Sequence, residues 1–473
     1  MSQLFVRLGS IAVIIFGAGC ALHETQPKAP VLPAAFEARS GESDATWPSQ
    51  DWYKGFGSPE LQALIEEAAS SNLDLTMARA RVTQADARAR QAGSAILPSI
   101  DAGGNGNYLA GHSVNGSAHE IDWAALLSAS YEIDFWGKNR ATARAASLLA
   151  NASRADRDTV ALTTLAGVAD GYFHVLALRN RLGIATANLD AARKLLEVVQ
   201  ARFNVGMANP VELATQKALL ATAGLVVPEL QQQETEALAA LALLLGRVPE
   251  QFSIESRSLD SLVEPIVGAG LPSELLRRRP DVFMAETNML AANADLLAAR
   301  AALFPSVTLT ASGGVQNPAL NAAILSLSGA GPTLNLGASI TQTIFDRGRR
   351  RAVRTEAQAK EEELAAAYSA AIHSALVDVE NALSALRHLE DARVLQEQSV
   401  AESERAFDGA TLRYKAGSAD FLTVLEAQRT LYAARDQYSQ YRLARFQAVV
   451  ALCKALGGGW QAQAPKSAIK ETR

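Results

Sequence analysis

The residues of this chain best able to do chemistry are a thiol near the start and a few acids beside glycine turns. There are two cysteines, Cys20 and Cys453, too few for a disulfide framework or a Cys-rich metal site. Cys453 follows Val449-Val450-Ala451-Leu452 and reads as a small buried hydrophobe. His112 and His119 share a glycine-rich stretch read as a surface loop, without the cysteine or carboxylate company of a metal site. Gly103-Gly104-Asn105-Gly106 does not follow a strand and open a helix, so it is no dinucleotide fingerprint. No nucleophile motif is present. Catalytic residues, cofactors and metals are therefore expected to be absent, and the chain is not read as an enzyme. Arg277-Arg278-Arg279-Pro280-Asp281 reads as a helix start: proline suits the first turn and the acid suits the positive helix end. A structural junction is the expectation there, with anion binding as the alternative.

Cys20 differs because of what precedes it. Arg7 is followed by an apolar stretch from Leu8 to Phe16, the length of a signal-peptide core and too short to span a bilayer. The stretch ends in Gly17-Ala18-Gly19-Cys20, which resembles a bacterial lipoprotein box, with Gly17 where an aliphatic residue is usual. The expectation is cleavage after residue 19, with S-diacylglycerol and N-acyl lipid on Cys20. Ala21, rather than Asp, fits delivery to the outer membrane. Pro27, Pro30, Pro33 and Pro48 make residues 20–50 an extended tether.

What positions the remaining residues is a duplicated set of elements. Ala95-Ile96-Leu97-Pro98-Ser99-Ile100 parallels Leu303-Phe304-Pro305-Ser306-Val307. Arg202-Phe203-Asn204-Val205-Gly206 parallels Arg413-Tyr414-Lys415-Ala416-Gly417, and Leu245-Gly246 parallels Leu456-Gly457. The landmarks recur at roughly 210 residues, a duplication. Each half reads helix, strand, strand, long helix, helix. Between Arg349 and Lys415 there is one glycine and no proline, a run worth about 100 Å of helix. Ile372, Leu376, Val379, Leu383 and Leu386 step as a coiled-coil seam. Lys138 to Ala201 is the matching run in the first half. Period-two alternation predicts strands over 127–135, 306–312 and 333–341, and a weaker, glycine-diluted one over 98–108.

No later segment offers about 18 consecutive apolar residues, so a membrane crossing must use strands in a closed barrel. A soluble sandwich alternates too, but the targeting signal favours the membrane. Four strands cannot close, so copies of the chain must share one sheet. Two copies fill their interior with side chains; three leave a water path. The formal net charge of -5 gives no reason to expect nucleic acid.

The ordered landmarks over about residues 45 to 460 resemble the TolC-like outer-membrane efflux proteins, in particular the lipoprotein (NodT-type) channels of resistance-nodulation-division pumps. They include Trp52-Tyr53-Lys54-Gly55-Phe56, Tyr131-Glu132-Ile133-Asp134-Phe135-Trp136-Gly137-Lys138, Leu276-Arg277-Arg278-Arg279-Pro280-Asp281-Val282 and Ile344-Phe345-Asp346-Arg347-Gly348-Arg349. The resemblance implies a homotrimer, a twelve-stranded β-barrel continuous with a periplasmic α-helical barrel, a periplasmic membrane-fusion adaptor and an inner-membrane pump. It implies passive conduction of small amphiphilic compounds or drugs. It also implies that two turns dock the adaptor: Arg202, Val205, Gly206, Met207 and Ala208 in one, Arg413, Ala416, Gly417, Ser418 and Ala419 in the other. Asp420, Glu426 and Glu212 lie just past these turns. Facing a lumen, three-fold symmetry would make each a ring of three carboxylates able to gate, with Asp420 the preferred one; a solvated helix face is the alternative. The domain reading is signal peptide 1–19, tether 20–50, first repeat 51–260, second repeat 261–460 and tail 461–473. A type I protein-secretion duct and a non-channel periplasmic adaptor are the competing functions.

Overall fold

In the computed structural model, residues 33, 35–37, 47–113, 116–268, 270, 272–317 and 331–461 are described. Cys20, most of the tether and nearly all of the tail lie outside them. The helices are α1 (Pro59–Ser71), α2 (Leu73–Ser94), α3 (Lys138–Asn204), α4 (Pro210–Leu244), α5 (Pro280–Ala301), α6 (Arg349–Lys415) and α7 (Phe421–Ala455). The strands are β1 (Ser99–Ser113), β2 (Gly116–Ile133), β3 (Ser306–Asn317) and β4 (Gly331–Thr341). The duplication extends to element length: α3 and α6 each have 67 residues, α4 and α7 each 35.

The chain divides into two units, one built on 85–151 and 286–367, the other on 30–84, 152–285 and 368–473. The first holds an antiparallel sheet in the order β1-β2-β3-β4. Its register sorts side chains cleanly. Partner rows Ser99–Ser130–Thr310–Gly337, Asp101–Ser128–Ser312–Asn335 and Glu132–Thr308–Ser339 share one face. Rows Ile100–Ala129–Ala311–Leu336, Ala102–Leu127–Gly313–Leu334 and Ile133–Val307–Ile340 share the other. Period two thus makes one polar and one apolar surface. Leu334, Leu336 and Ile340 are exposed in the single chain. Among the described residues, β1 and β4 are bonded on one side only, which leaves two open edges.

Two sequence expectations need correction. The first two strands are longer than alternation suggested, 15 residues for β1 and 18 for β2, and β2 ends at Ile133, leaving Asp134 and Phe135 outside it. His112 and His119 are not in a loop; both are paired ladder positions, opposite Ser117 and Ala110. Pairing with a neighbour extends a strand through glycine-rich sequence that local propensity alone would leave open.

In the second unit an aromatic core joins the two repeats. Phe173 of α3 lies 4.9 Å from Phe56 and 5.0 Å from Phe446 of α7, ring centre to ring centre. Leu61, Ile65, Leu176, Leu241, Val450 and Cys453 close around them. Burial pushes the Cys453 thiol up to about 12, so it is the inert hydrophobe expected. Part of α3 is apolar enough by length and composition to cross a bilayer, but half of that window is buried inside the protein. Ser58 caps α1 by accepting from Leu61 N at 3.1 Å, and Tyr172 donates to Glu60 at 3.0 Å. Of the predicted seam, Ile372 and Val379 are fully buried, while Leu376, Leu383 and Leu386 pack against core clusters. Arg279 is buried and its guanidinium is taken up by Asp281 (2.6 Å), Asp378 (3.0 Å) and the Ala455 carbonyl (3.1 Å), which makes this motif the junction expected.

Candidate functional site: the paired hairpin tips

The two long hairpins of the helical unit end in turns of one design. α3 stops at Asn204 and α4 starts at Pro210; α6 stops at Lys415 and α7 starts at Phe421. Gly206 has φ 76° and Gly417 has φ 75°. A Cβ on either glycine would meet nothing within 4 Å, so the left-handed backbone, not crowding, calls for glycine. In each turn a backbone N–H reaches back across six residues: Met207 N to Arg202 O at 2.8 Å, Ser418 N to Arg413 O at 2.9 Å. This is the Schellman closure of a helix end. The outgoing helices are also capped alike. Asn209 accepts from Glu212 N at 2.9 Å. Asp420 accepts from Thr423 N at 2.8 Å and from its hydroxyl at 2.7 Å.

The side chains are not alike. Arg202 turns toward the other hairpin, donates to the Tyr414 carbonyl at 2.7 Å and lies 4.6 Å from the Tyr414 ring centre. Its Nε is buried without an acceptor among the described residues. Tyr414 is 2% exposed and donates to Glu212 at 3.4 Å. Around this clamp Leu195, Val199, Leu213, Ala410, Phe421 and Val424 form one apolar cluster. Arg413, by contrast, is exposed and among the described residues reaches only the Ser418 carbonyl, at 3.4 Å. Val205, Met207, Leu412 and Leu422 are exposed apolar groups at the tips.

The three acids occupy different settings. Asp420 is exposed, and the Thr423 hydroxyl and backbone N–H hold its carboxyl below the usual range. Glu426 is exposed and lines a groove with Ser399, Glu402, Ser403 and Thr423. Glu212 is half-buried and accepts from Asn209 at 3.0 Å. Sequence reasoning missed Tyr414 as a partner, although the aromatic that follows the arginine in both turns, Phe203 and Tyr414, was its signal. It also missed the ties higher between the hairpins: Arg181 to Asp436 at 2.7 Å and Gln428 to Asn188 at 3.1 Å.

The family model for outer membrane efflux proteins matches residues 64–247 and 271–458. The pyoverdine export outer membrane protein OpmQ of Pseudomonas aeruginosa is 44% identical over 91% of this chain and 92% of its own length. The cation efflux system protein CusC of Escherichia coli O6:H1 is 30% identical over 95% of this chain and 98% of its own. The open state of the Neisseria gonorrhoeae MtrE outer membrane channel superposes with a TM-score of 0.81 at 30% identity, covering 93% of this chain and 98% of that one. The chain therefore belongs to the outer membrane efflux protein family: with the fold of the trimeric TolC-like channels, which have a helical barrel and a β-barrel, it is the outer-membrane channel of a tripartite efflux pump.

Proposed function

We propose that the exported compound is a small amphiphile of the pyoverdine siderophore class, released passively through a lumen shared by three copies. The observation that carries the duct is the sheet: polar on one face, apolar on the other, and open at β1 and β4. Open edges in hydrocarbon cost several kcal/mol per unpaired group, so β1 of one copy pairs with β4 of the next. The identity to OpmQ over nearly the whole of both chains supports the cargo class. In this reading Cys20 bears the lipid that anchors the protein to the outer membrane. Arg202, Val205, Gly206, Met207 and Ala208, with Arg413, Ala416, Gly417, Ser418 and Ala419, meet a periplasmic membrane-fusion adaptor. An inner-membrane resistance-nodulation-division pump supplies the energy. Asp420, Glu426 and Glu212 form carboxylate rings at the aperture, which attract cations and set the entry barrier.

Purified protein in a planar bilayer tests the duct: stable ion conductance from a trimer is expected, and a non-conducting monomer overturns it. Deletion of the gene in a pyoverdine producer should leave the siderophore in the periplasm; unchanged secretion removes the cargo assignment. Cys20→Ser should abolish acyl labelling, and continued labelling would move the anchor elsewhere.

A further inference from the structure

The strand unit holds a cleft that neither the tips nor the barrel wall accounts for. It lies where β2 ends and β3, α3 and α6 begin, has a volume of about 270 Å³, and is lined in part by Glu132, Trp136, Lys138, Phe304, Arg349 and Arg350. That is near the lower end of ligand pockets, room for one ring and one anionic group.

Two features select the ligand. Both helices that open here begin with cations and have no acid in the first turn: Lys138 and Arg140 in α3, Arg349, Arg350 and Arg351 in α6. Cations at a helix N-terminus oppose the dipole, so the pattern runs against local stability. The acids nearby are already engaged. Asp134 accepts from Asn139 N at 3.1 Å and Arg140 N at 2.8 Å; Asp346 accepts from Gly348 N at 3.0 Å and Arg350 N at 3.1 Å. Lys138 is bonded to Glu132 at 2.6 Å and Arg350 to the Ala302 carbonyl at 2.7 Å. Arg349 is left as the guanidinium of the cleft with no side-chain partner among the described residues.

The second feature is an aromatic wall. Trp136 stacks on Phe304 with ring centres 4.7 Å and planes 21° apart, and its indole N–H donates to the Pro305 carbonyl at 2.8 Å. A planar ring sits against such a wall, and a carboxylate matches the fork of an arginine. Glu132 and Ser306 come from the polar face of the sheet and Ile133 from the apolar one, so the cleft lies at the end of the sheet, and in the channel reading its polar residues meet the shared lumen.

We propose that this cleft is a low-affinity resting site for the anionic aromatic part of the exported compound, with Arg349 as its counter-ion. The inference deepens the channel reading and rests on it. Conduction needs a site strong enough to draw cargo in and weak enough to release it. One free guanidinium at an open cleft meets both demands.

The full-length trimer in a neutral-lipid bilayer tests this, with salicylate as the probe and benzyl alcohol as its uncharged counterpart. Salicylate should reduce the current and benzyl alcohol should not. Arg349→Gln should raise the half-blocking concentration roughly tenfold, each variant being read against its own unblocked current; Arg349→Lys should raise it less. Equal block of wild type and Arg349→Gln, or block by benzyl alcohol, overturns the proposal and leaves the duct standing. An effect of Arg349→Gln seen only in anionic-lipid bilayers also overturns it, since the occupant is then a lipid headgroup. If the protein does not conduct, the duct fails, and equilibrium dialysis of salicylate against wild type and Arg349→Gln decides the cleft separately.

Discussion

The two hairpin tips share a backbone and differ in what holds them. Each has a left-handed glycine, a Schellman closure and an Asx cap. Yet Arg202 clamps the neighbouring hairpin through Tyr414, whereas the equivalent Arg413 stays on its own turn. A duplicated turn thus keeps its local geometry because a few residues set it, while its side chains diverge because each copy faces different neighbours. One arginine has become a strut and the other remains a surface charge.

The largest effect that could break this comparison lies in that pair. Arg202→Ala should destabilise the joined hairpins by about 2 kcal/mol, because it removes a charge-assisted hydrogen bond and a cation–π contact. Arg413→Ala should change stability by less than about 0.5 kcal/mol, as exposed substitutions usually do. Chemical denaturation of the two variants side by side measures this, and equal losses would end the distinction. Next, Gly206→Val and Gly417→Val should cost the same, about 1–2 kcal/mol each, since both force a β-branched residue into positive φ; unequal costs would show that the turns are not one design.

A smaller effect concerns two acids whose titration moves in opposite directions. Burial raises the Asp170 carboxyl to about 6, with Lys454 opposing, and its Oδ1 has no hydrogen-bond partner among the described residues. A raised acid stabilises the fold fully below its unfolded value near 3.8, and this is lost as pH climbs through about 6. Asp170→Asn should therefore flatten the fall in stability between about pH 4 and 6, by about 1 kcal/mol after allowing for solvent. Thermal melts across that window decide it. Asp420 goes the other way: its cap is present above the unfolded value and weakens as pH falls through the lowered one. Asp420→Asn keeps a capping side chain but removes the charge, so it separates the two roles. If charge sets the aperture, Asp420→Asn and Asp420→Ala should raise conductance alike at neutral pH. If only the cap matters, Asp420→Asn should match wild type.

Much of the fold was legible early, because its signals are periodic or local. The heptad seam from Ile372 to Leu386 and the glycines of the tips needed only short windows of chain. β1 was harder: Gly103, Gly104 and Gly106 dilute its alternation, and the ladder to β2 supplies what local propensity lacks. The acid candidates were visible as types beside turns, but their environments were not. Nothing in the spacing of Glu212 shows that Tyr414 donates to it from 202 residues away. The cleft of Trp136 and Arg349 was equally hidden, since its walls come from β2, β3, α3, α5 and α6.

Sequence alone determined where helices stop, which strand face is oily, and that one half copies the other. The first two depend on neighbours a few residues apart and the third on matching one stretch of sequence with another, so none of them needs a fold. Only tertiary structure decided that Arg202 and Arg413 part company, that His112 and His119 lie in a ladder, and that Arg349 is the cation of the cleft without a side-chain partner among the described residues. Each of these depends on what packs opposite, and side chains find their partners only when distant segments meet.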